Sequence, residues 1–244
     1  MVVKGKTISK AIGIHKYYDS RSEPVHALRG VDIEVFQGEI LAIVGPSGCG
    51  KTTLLNCLSG IDVPNEGKIF FNGLEISSMN EKERTKLRGR YMGFVFQFYN
   101  LIPSLTAVEN VELPLLARGM DPRTAREKAR EILKMLKLTH RLKAYPEELS
   151  GGEQQRVAIA RAIVNDPMVI WADEPTGALD TETGFEIIRL LVNLSKENGT
   201  AVVVVTHDER LTKYADRIMY MDSGKIVRME RNLQGSWAGD RGIR

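Results

Sequence analysis

Gly45-Pro46-Ser47-Gly48-Cys49-Gly50-Lys51-Thr52-Thr53 decides how this chain is read. A glycine, four residues, then Gly-Lys and a hydroxyl residue is the spacing of a phosphate-binding loop. The flanks agree with it. Ile40-Leu41-Ala42-Ile43-Val44 is a short apolar run and reads as a buried parallel strand, and Lys51 to Leu58, closed by Gly60, reads as a helix. Strand, glycine loop and helix is the arrangement such a loop needs. Glycines let backbone N–H groups turn inward around phosphate oxygens, and the helix N-terminus adds partial positive charge. A nucleoside triphosphate is therefore expected on Gly45 to Thr53, with Lys51 on its β- and γ-phosphates and the Thr52 hydroxyl on Mg²⁺.

Two more apolar runs end in chemically capable residues. Met168 to Ala172 ends in Asp173-Glu174, and Ala201 to Val205 ends in Thr206-His207-Asp208. In a parallel sheet these ends share one edge with the phosphate loop, where ligands of α/β folds bind. Asp173 is expected to hold Mg²⁺ through its water shell. Glu174, one residue on, faces the attacking water as general base. Gln97 and His207 are polar groups for the γ-phosphate and its water.

The rest of the chain is read more coarsely. Ile8 to Ile14 and Val31 to Phe36 are strand-like, joined by a polar loop, Lys16 to Pro24, that carries Tyr17 and Tyr18. A tyrosine in such a loop is either a half-buried anchor or a ring that stacks on a base. Lys68 to Ile76 reads as a hairpin about Asn72-Gly73. Residues 79–90 read as a charged helix, and Tyr91 to Tyr99 as an aromatic strand whose Phe98 and Tyr99 form a surface interaction patch. Residues 106–164 are mostly helical, with Ala125, Ala129, Ile132, Leu133 and Leu136 as a core stripe. A helix near Thr183 to Ser195, a hairpin across Ser223-Gly224 and a polar tail with Trp237 complete the chain.

Leu149-Ser150-Gly151-Gly152-Glu153-Gln154-Gln155-Arg156 carries a second signal. Ser150 and Glu153 have the spacing of a capping box. Two glycines in a first helical turn each cost up to about 1 kcal/mol against alanine, which stability alone would not select. They expose backbone N–H groups at a positive helix end, a second anion site.

Composition narrows the classes. The 244 residues are 43% hydrophobic and 27% charged with a formal charge of +3, too weakly basic to argue for a nucleic-acid partner. The two cysteines have neither metal nor disulfide spacing, which suggests a reducing compartment. No run reaches the length of a membrane-spanning helix and the start, Met-Val-Val-Lys-Gly-Lys, does not read as a signal peptide, so a cytoplasmic location is expected.

Taken in order, Gly45 to Thr52, Gln97, Leu149 to Glu153, Asp173-Glu174, Gly177-Ala178-Leu179-Asp180 and His207 resemble the nucleotide-binding subunit of an ABC transporter. The resemblance spans roughly residues 7–228. It implies an α/β P-loop NTPase core with a mixed, mainly parallel sheet, an N-terminal antiparallel β subdomain and an inserted helical subdomain at about 98–165. Residues 1–230 would form this single domain, with 231–244 a flexible tail. It further implies that Glu174 is catalytic, assisted by Gln97 and His207, and that Thr52, Gln97 and Asp173 serve the metal. The nucleotide would be held by Gly45, Pro46, Ser47, Gly48, Cys49, Gly50, Lys51, Thr52 and Thr53, and across a head-to-tail dimer by Ser150, Gly151, Gly152 and Asp180. Tyr18 matches the adenine-stacking tyrosine, ahead of Tyr17. The implied partners are ATP, a second copy of the chain and an integral-membrane permease, whose coupling helix would enter a groove near Gln97 to Asn100. The location would be the cytoplasmic face of the membrane.

Gln97 to Pro103, Leu105 to Val111 and Pro175 to Asp180 resemble the lipoprotein-release and macrolide-export branch, although Glu153 stands where that branch often has Gln. The alternatives are a soluble ABC ATPase, of cluster assembly above all, and a non-catalytic nucleotide sensor. A DNA-repair head lacks support because no heptads separate the phosphate loop from Leu149. A ribosome-associated factor would carry two cassettes.

Overall fold

The computed structural model describes residues 5–19 and 24–232. Strands β1 (Thr7–Tyr18) and β2 (Val25–Phe36) run antiparallel. With β4 (Glu66–Phe71) and β5 (Leu74–Glu75) they form a four-stranded sheet in the order β2-β1-β4-β5. The larger sheet contains β3 (Ile40–Val44), β6 (Met92–Phe96), β7 (Val169–Asp173), β8 (Ala201–Val205), β9 (Arg217–Asp222) and β10 (Lys225–Arg231). Its order is β10-β9-β3-β8-β7-β6, antiparallel only at the β10–β9 edge. This is the mixed, mainly parallel sheet expected from the apolar runs.

Those runs show no polar alternation because both faces of the sheet are covered. Side chains alternate sides along each strand. Ile40, Ala42, Ile170, Ala172, Val202 and Val204 therefore enter one core, with helices α3 (Ala107–Ala117), α4 (Pro122–Met135), α5 (Gly151–Ile163) and α6 (Thr181–Asn198). Leu41, Ile43, Val169, Trp171, Val203 and Val205 enter a second core, under β1, β2 and α1 (Lys51–Leu58). Helix α2 (Glu81–Tyr91) precedes β6, and the short α7 (Glu209–Thr212) follows β8. Ala125, Ala129, Leu133 and Leu136 are buried and Ile132 packs against the same core. Arg217 forms a buried bidentate pair with Glu39, at 2.8 and 2.7 Å, and donates to the Glu34 carbonyl, joining the two sheets.

Several local expectations change. Lys16, Tyr17 and Tyr18 lie on β1, not in a loop, because they pair with Leu28, His26 and Val25 of β2. Residues 20–23 of that expected loop lie outside the described residues. Tyr91 closes α2, and β6 ends at Phe96. Tyr99 and Asn100 then take φ of 62° and 49°, which no extended strand can accommodate. Phe98 is 73% exposed, whereas Tyr99 is half-buried, so only the first ring forms a surface patch. β10 continues past Val227 to Arg231 by pairing with β9. Trp237 and the expected flexibility of the tail fall among residues 233–244, outside the described residues.

Candidate functional site

The carboxyl ends of β3, β6, β7 and β8 meet at one edge of a cavity of about 710 Å³. From the phosphate loop, Ser47, Gly48, Gly50, Lys51, Thr52 and Thr53 line it, opposite Gln97, Asp173 and Glu174. Tyr18 and His26 stand at its mouth, with Ser223 and Gly224 from the β9–β10 turn. Gly50 sits in the left-handed region at φ 103° and starts α1. A Cβ on Gly50 would lie 2.5 Å from the Ala27 carbonyl, and one on Gly45 would lie 2.1 Å from that of Met221. Both positions therefore require glycine for space as well as for conformation. Gly45→Ala should cost about 1–3 kcal/mol of stability and abolish nucleotide binding. A variant with unchanged melting temperature and nucleotide affinity, measured by calorimetry, would contradict this packing.

Lys51 reaches back over the loop, its ammonium donating to the Gly45 and Pro46 carbonyls at 2.9 and 2.8 Å. Cys49 turns its side chain inward, its sulfur 4.0 Å from the same ammonium. Its side chain is 6% exposed and packs in the second core, where the Gly45 position touches its sulfur. The sequence pattern could not reveal this inward turn, so Cys49 can serve a ligand through its backbone only. Cys57 is buried too, and burial pushes its thiol up to about 12.

Thr52 donates to Asp173 Oδ1 at 3.1 Å. Burial pushes the Asp173 carboxyl above its usual range, opposed by the Thr52 hydroxyl, reinforced by Glu174 and opposed again by Lys51. Glu174 takes a positive φ of 48°, held by its N–H on the Val205 carbonyl at 2.9 Å and by the Gly177 N–H on its own carbonyl at 3.0 Å. His207 Nδ1 lies 3.0 Å from Glu174 Oε1 in hydrogen-bonding geometry. It is also 2.9 Å from Oε2, but that oxygen is buried without a hydrogen bond. His207 itself is 75% exposed and reaches the cavity through Glu174. A carboxylate beside an imidazole, lining this cavity, is equipped to take a proton from water.

Ser150, Gly151, Gly152 and Asp180 do not line this cavity. Ser150 caps α5, accepting from the Glu153 N–H at 3.3 Å, and its own N–H donates to Glu153 Oε2 at 2.8 Å. The Glu153 carboxylate also pairs with Arg141 at 2.8 Å, which gives an acidic residue a partner there. The glycines have a packing reason absent from the sequence reading. A Cβ on Gly151 would meet the Tyr99 hydroxyl at 2.8 Å, and one on Gly152 the Thr183 methyl at 2.5 Å. Asp180 caps α6, accepting from Glu182 and Thr183 N–H groups at 3.0 Å each. Within one chain Ser150 and Asp180 are exposed helix caps, and Gly151 and Gly152 are half-buried beside them.

Pattern reading passed over residues that hold the site together. Gly224 N–H donates to the Cys49 carbonyl and Arg29 N–H to the Gly224 carbonyl, both at 2.9 Å, so the β9–β10 turn braces the phosphate loop. Gln155 donates to the Pro175 carbonyl at 2.5 Å, linking α5 to the segment after Glu174. Arg161 donates to the Tyr99 and Asn100 carbonyls at 2.9 and 2.6 Å, linking α5 to the segment after Gln97. Their partners are backbone groups far away in sequence, which leave no local signal.

A glycine loop between strand and helix, with an acidic strand end across a shared sheet edge, defines a P-loop nucleoside triphosphatase. The family described as ABC transporter matches residues 28–177, and the chain belongs to that family. It is 47% identical over 226 residues to an uncharacterized ABC transporter ATP-binding protein of Thermotoga maritima, covering 93% of this chain and 96% of that one. It is 46% identical over 222 residues to the lipoprotein-releasing system ATP-binding protein LolD of Pseudomonas fluorescens, covering 91% and 98%. Its fold is similar to the dimeric post-hydrolysis structure of the cassette MJ0796 of Methanocaldococcus jannaschii bound to ADP and Pi. There the TM-score is 0.86 and the identity 43%, with 92% and 98% of the chains covered.

Proposed function

We propose that this chain is the ATP-hydrolysing subunit of a transporter of the lipoprotein-release and macrolide-export type, working as a head-to-tail dimer. The observation that carries the reading is the convergence of Lys51, Thr52, Gln97, Asp173 and Glu174 on one cavity from three parallel strand ends. ATP is the substrate. The loop glycines and Lys51 bind its phosphates, and Tyr18 stacks on the adenine. Thr52 and Asp173 are hard oxygen donors 3.1 Å apart, and Gln97 lines the same wall. Two such donors plus substrate phosphates suit Mg²⁺. With Mg²⁺ bound, charge developing on the phosphoryl oxygens is neutralised. Glu174 accepts the proton of the attacking water, and His207 orients Glu174 and the γ-phosphate.

Ser150, Gly151, Gly152 and Asp180, which lie away from this cavity, face the nucleotide of a second copy. Residues 98–165 act as a helical subdomain within a single domain of residues 1–230. Among the described residues no helix is long and apolar enough to cross a membrane. The likeness to LolD supports a place at the cytoplasmic face of the membrane, reached through a permease. A groove of about 450 Å³ lined by Phe94, Phe96, Asn100 and Arg161 supports that docking, with Phe98 exposed close by in sequence. Cluster assembly is not favoured, given the likeness to LolD.

Two measurements test the reading. The purified chain should release phosphate from MgATP, and no release at any concentration would overturn it. Phe98→Ala should leave that basal rate within about twofold, as surface changes away from the chemistry do, while co-purification with the membrane subunit weakens. Unchanged assembly would remove Phe98 from the interface.

A further inference from the structure

Tyr18 is held by more partners than a ring at a strand end requires. Its hydroxyl donates to Asp62 Oδ2 at 2.7 Å, and Thr53 of α1 lines the same cavity. Lys16 Nζ donates to Asp62 Oδ1 at 2.6 Å and to the Val63 carbonyl at 2.8 Å. The same ammonium lies 5.0 Å from the Tyr18 ring centroid. Asp62 is fixed in turn, its N–H on the Asn56 carbonyl at 3.0 Å and its carboxylate on the Val63 N–H at 2.7 Å. Tyr17, the neighbouring ring, takes no part and stacks instead on His26 at 4.2 Å.

We propose that Lys16 and Asp62 are positioning residues for base recognition, locking the Tyr18 ring at the cavity mouth and tying it to the helix that begins at Lys51. The inference rests on the reading that Tyr18 stacks on the adenine. A ring already fixed loses no rotamer freedom when a base arrives, so the clamp contributes affinity without touching the nucleotide. Because the Asp62 N–H bonds the Asn56 carbonyl of α1, the platform for the base is tied to the helix that carries the phosphate cradle. The protonation states agree. Burial and the Asp62 carboxylate push the Tyr18 phenol up to about 12, so it remains a donor. Burial raises Asp62, but Lys16, Tyr18 and the Val63 N–H outweigh it and keep the carboxyl below its usual range.

The test compares ADP with inorganic pyrophosphate by titration calorimetry, because only the first presents a base. Tyr18→Phe keeps the ring and loses the anchor; Asp62→Ala loses the anchor from the other side. Each should weaken ADP binding about 3- to 10-fold while pyrophosphate binding stays within about twofold. The double variant should be no weaker than the worse single one, since both remove the same hydrogen bond. Should Asp62→Ala fail to fold, Tyr18→Phe decides alone. If Tyr18→Ala weakens ADP while Tyr18→Phe and Asp62→Ala do not, stacking stands and the clamp is overturned. Equal losses for ADP and pyrophosphate overturn it too, since they mark general damage to the site. No loss in Tyr18→Ala removes the stacking reading along with the clamp.

Discussion

Glu174→Gln is expected to leave ATP binding intact and to lower turnover by about 10²- to 10⁴-fold, the usual contribution of a general base. The substitution is nearly isosteric. It places the same demand on the backbone at φ 48° and leaves an oxygen for His207 to bond. The bonds that hold position 174 to the Val205 carbonyl and the Gly177 N–H are backbone bonds and survive unchanged. What disappears is the carboxylate that takes the proton of water. The loop glycines, Lys51, Thr52 and Asp173 are untouched, so MgATP should still bind and accumulate in a dimer, visible by gel filtration with light scattering. Hydrolysis within a few-fold of wild type would remove Glu174 from the role of base, whatever the family resemblance implies.

The second large effect follows from the proposal that the site is divided between two copies. Protomers carrying Lys51→Ala should be inactive for want of the phosphate lysine. Protomers carrying Ser150→Arg should be inactive because bulk and positive charge fill the pocket of the partner's nucleotide. In a two-fold dimer the same patch meets itself reversed. One mixed dimer therefore collects both lesions in one site and leaves the other intact. Random mixing makes half the dimers mixed with one good site each, so roughly a quarter of wild-type activity should return if sites fire independently.

Ser150 also caps α5, so losing it costs about 1 kcal/mol. That loss is confined to its own chain and no partner repairs it. A purely local role for Ser150 therefore leaves the mixture dead. Cross-linking in MgATP must first show that mixed dimers form. Mixed dimers that form, bind ATP and release no phosphate would count against the shared site or require strict coupling between sites, which single-turnover measurement of the intact site separates.

Much of this was legible along the chain. Gly45 to Thr53 specifies its own loop, because glycine freedom, a preceding apolar run and a following helix are all local requirements. The buried parallel strands were readable as apolar runs, and their polar ends located Asp173, Glu174 and His207 on one edge. The boxes at Ser150 and Glu153 and the hairpin at Asn72-Gly73 were likewise visible within a few residues. For the loop, the box and the hairpin the stabilising partner lies within one turn or one strand, whereas the parallel strands announce only their burial and pair with segments far away, Ile40 with Val202 among them.

What tertiary structure decided is a different kind of fact. Lys16 to Tyr18 are a strand only because β2 lies beside them, and that pairing has no local signature. Cys49 sits in a loop built for anions, yet its side chain is buried in the second core, in space that a side chain at Gly45 would otherwise take. Gly151 and Gly152 read as backbone for a ligand, and only the packed chain adds that a Cβ on either would meet the Tyr99 hydroxyl or the Thr183 methyl. Asp62 looks like one more polar residue after a helix until Tyr18 and Lys16 reach it from β1. Local chemistry determines what a residue is able to do. Only the packed chain determines which of its neighbours it does it with, since those contacts join segments tens of residues apart and are chosen by shape.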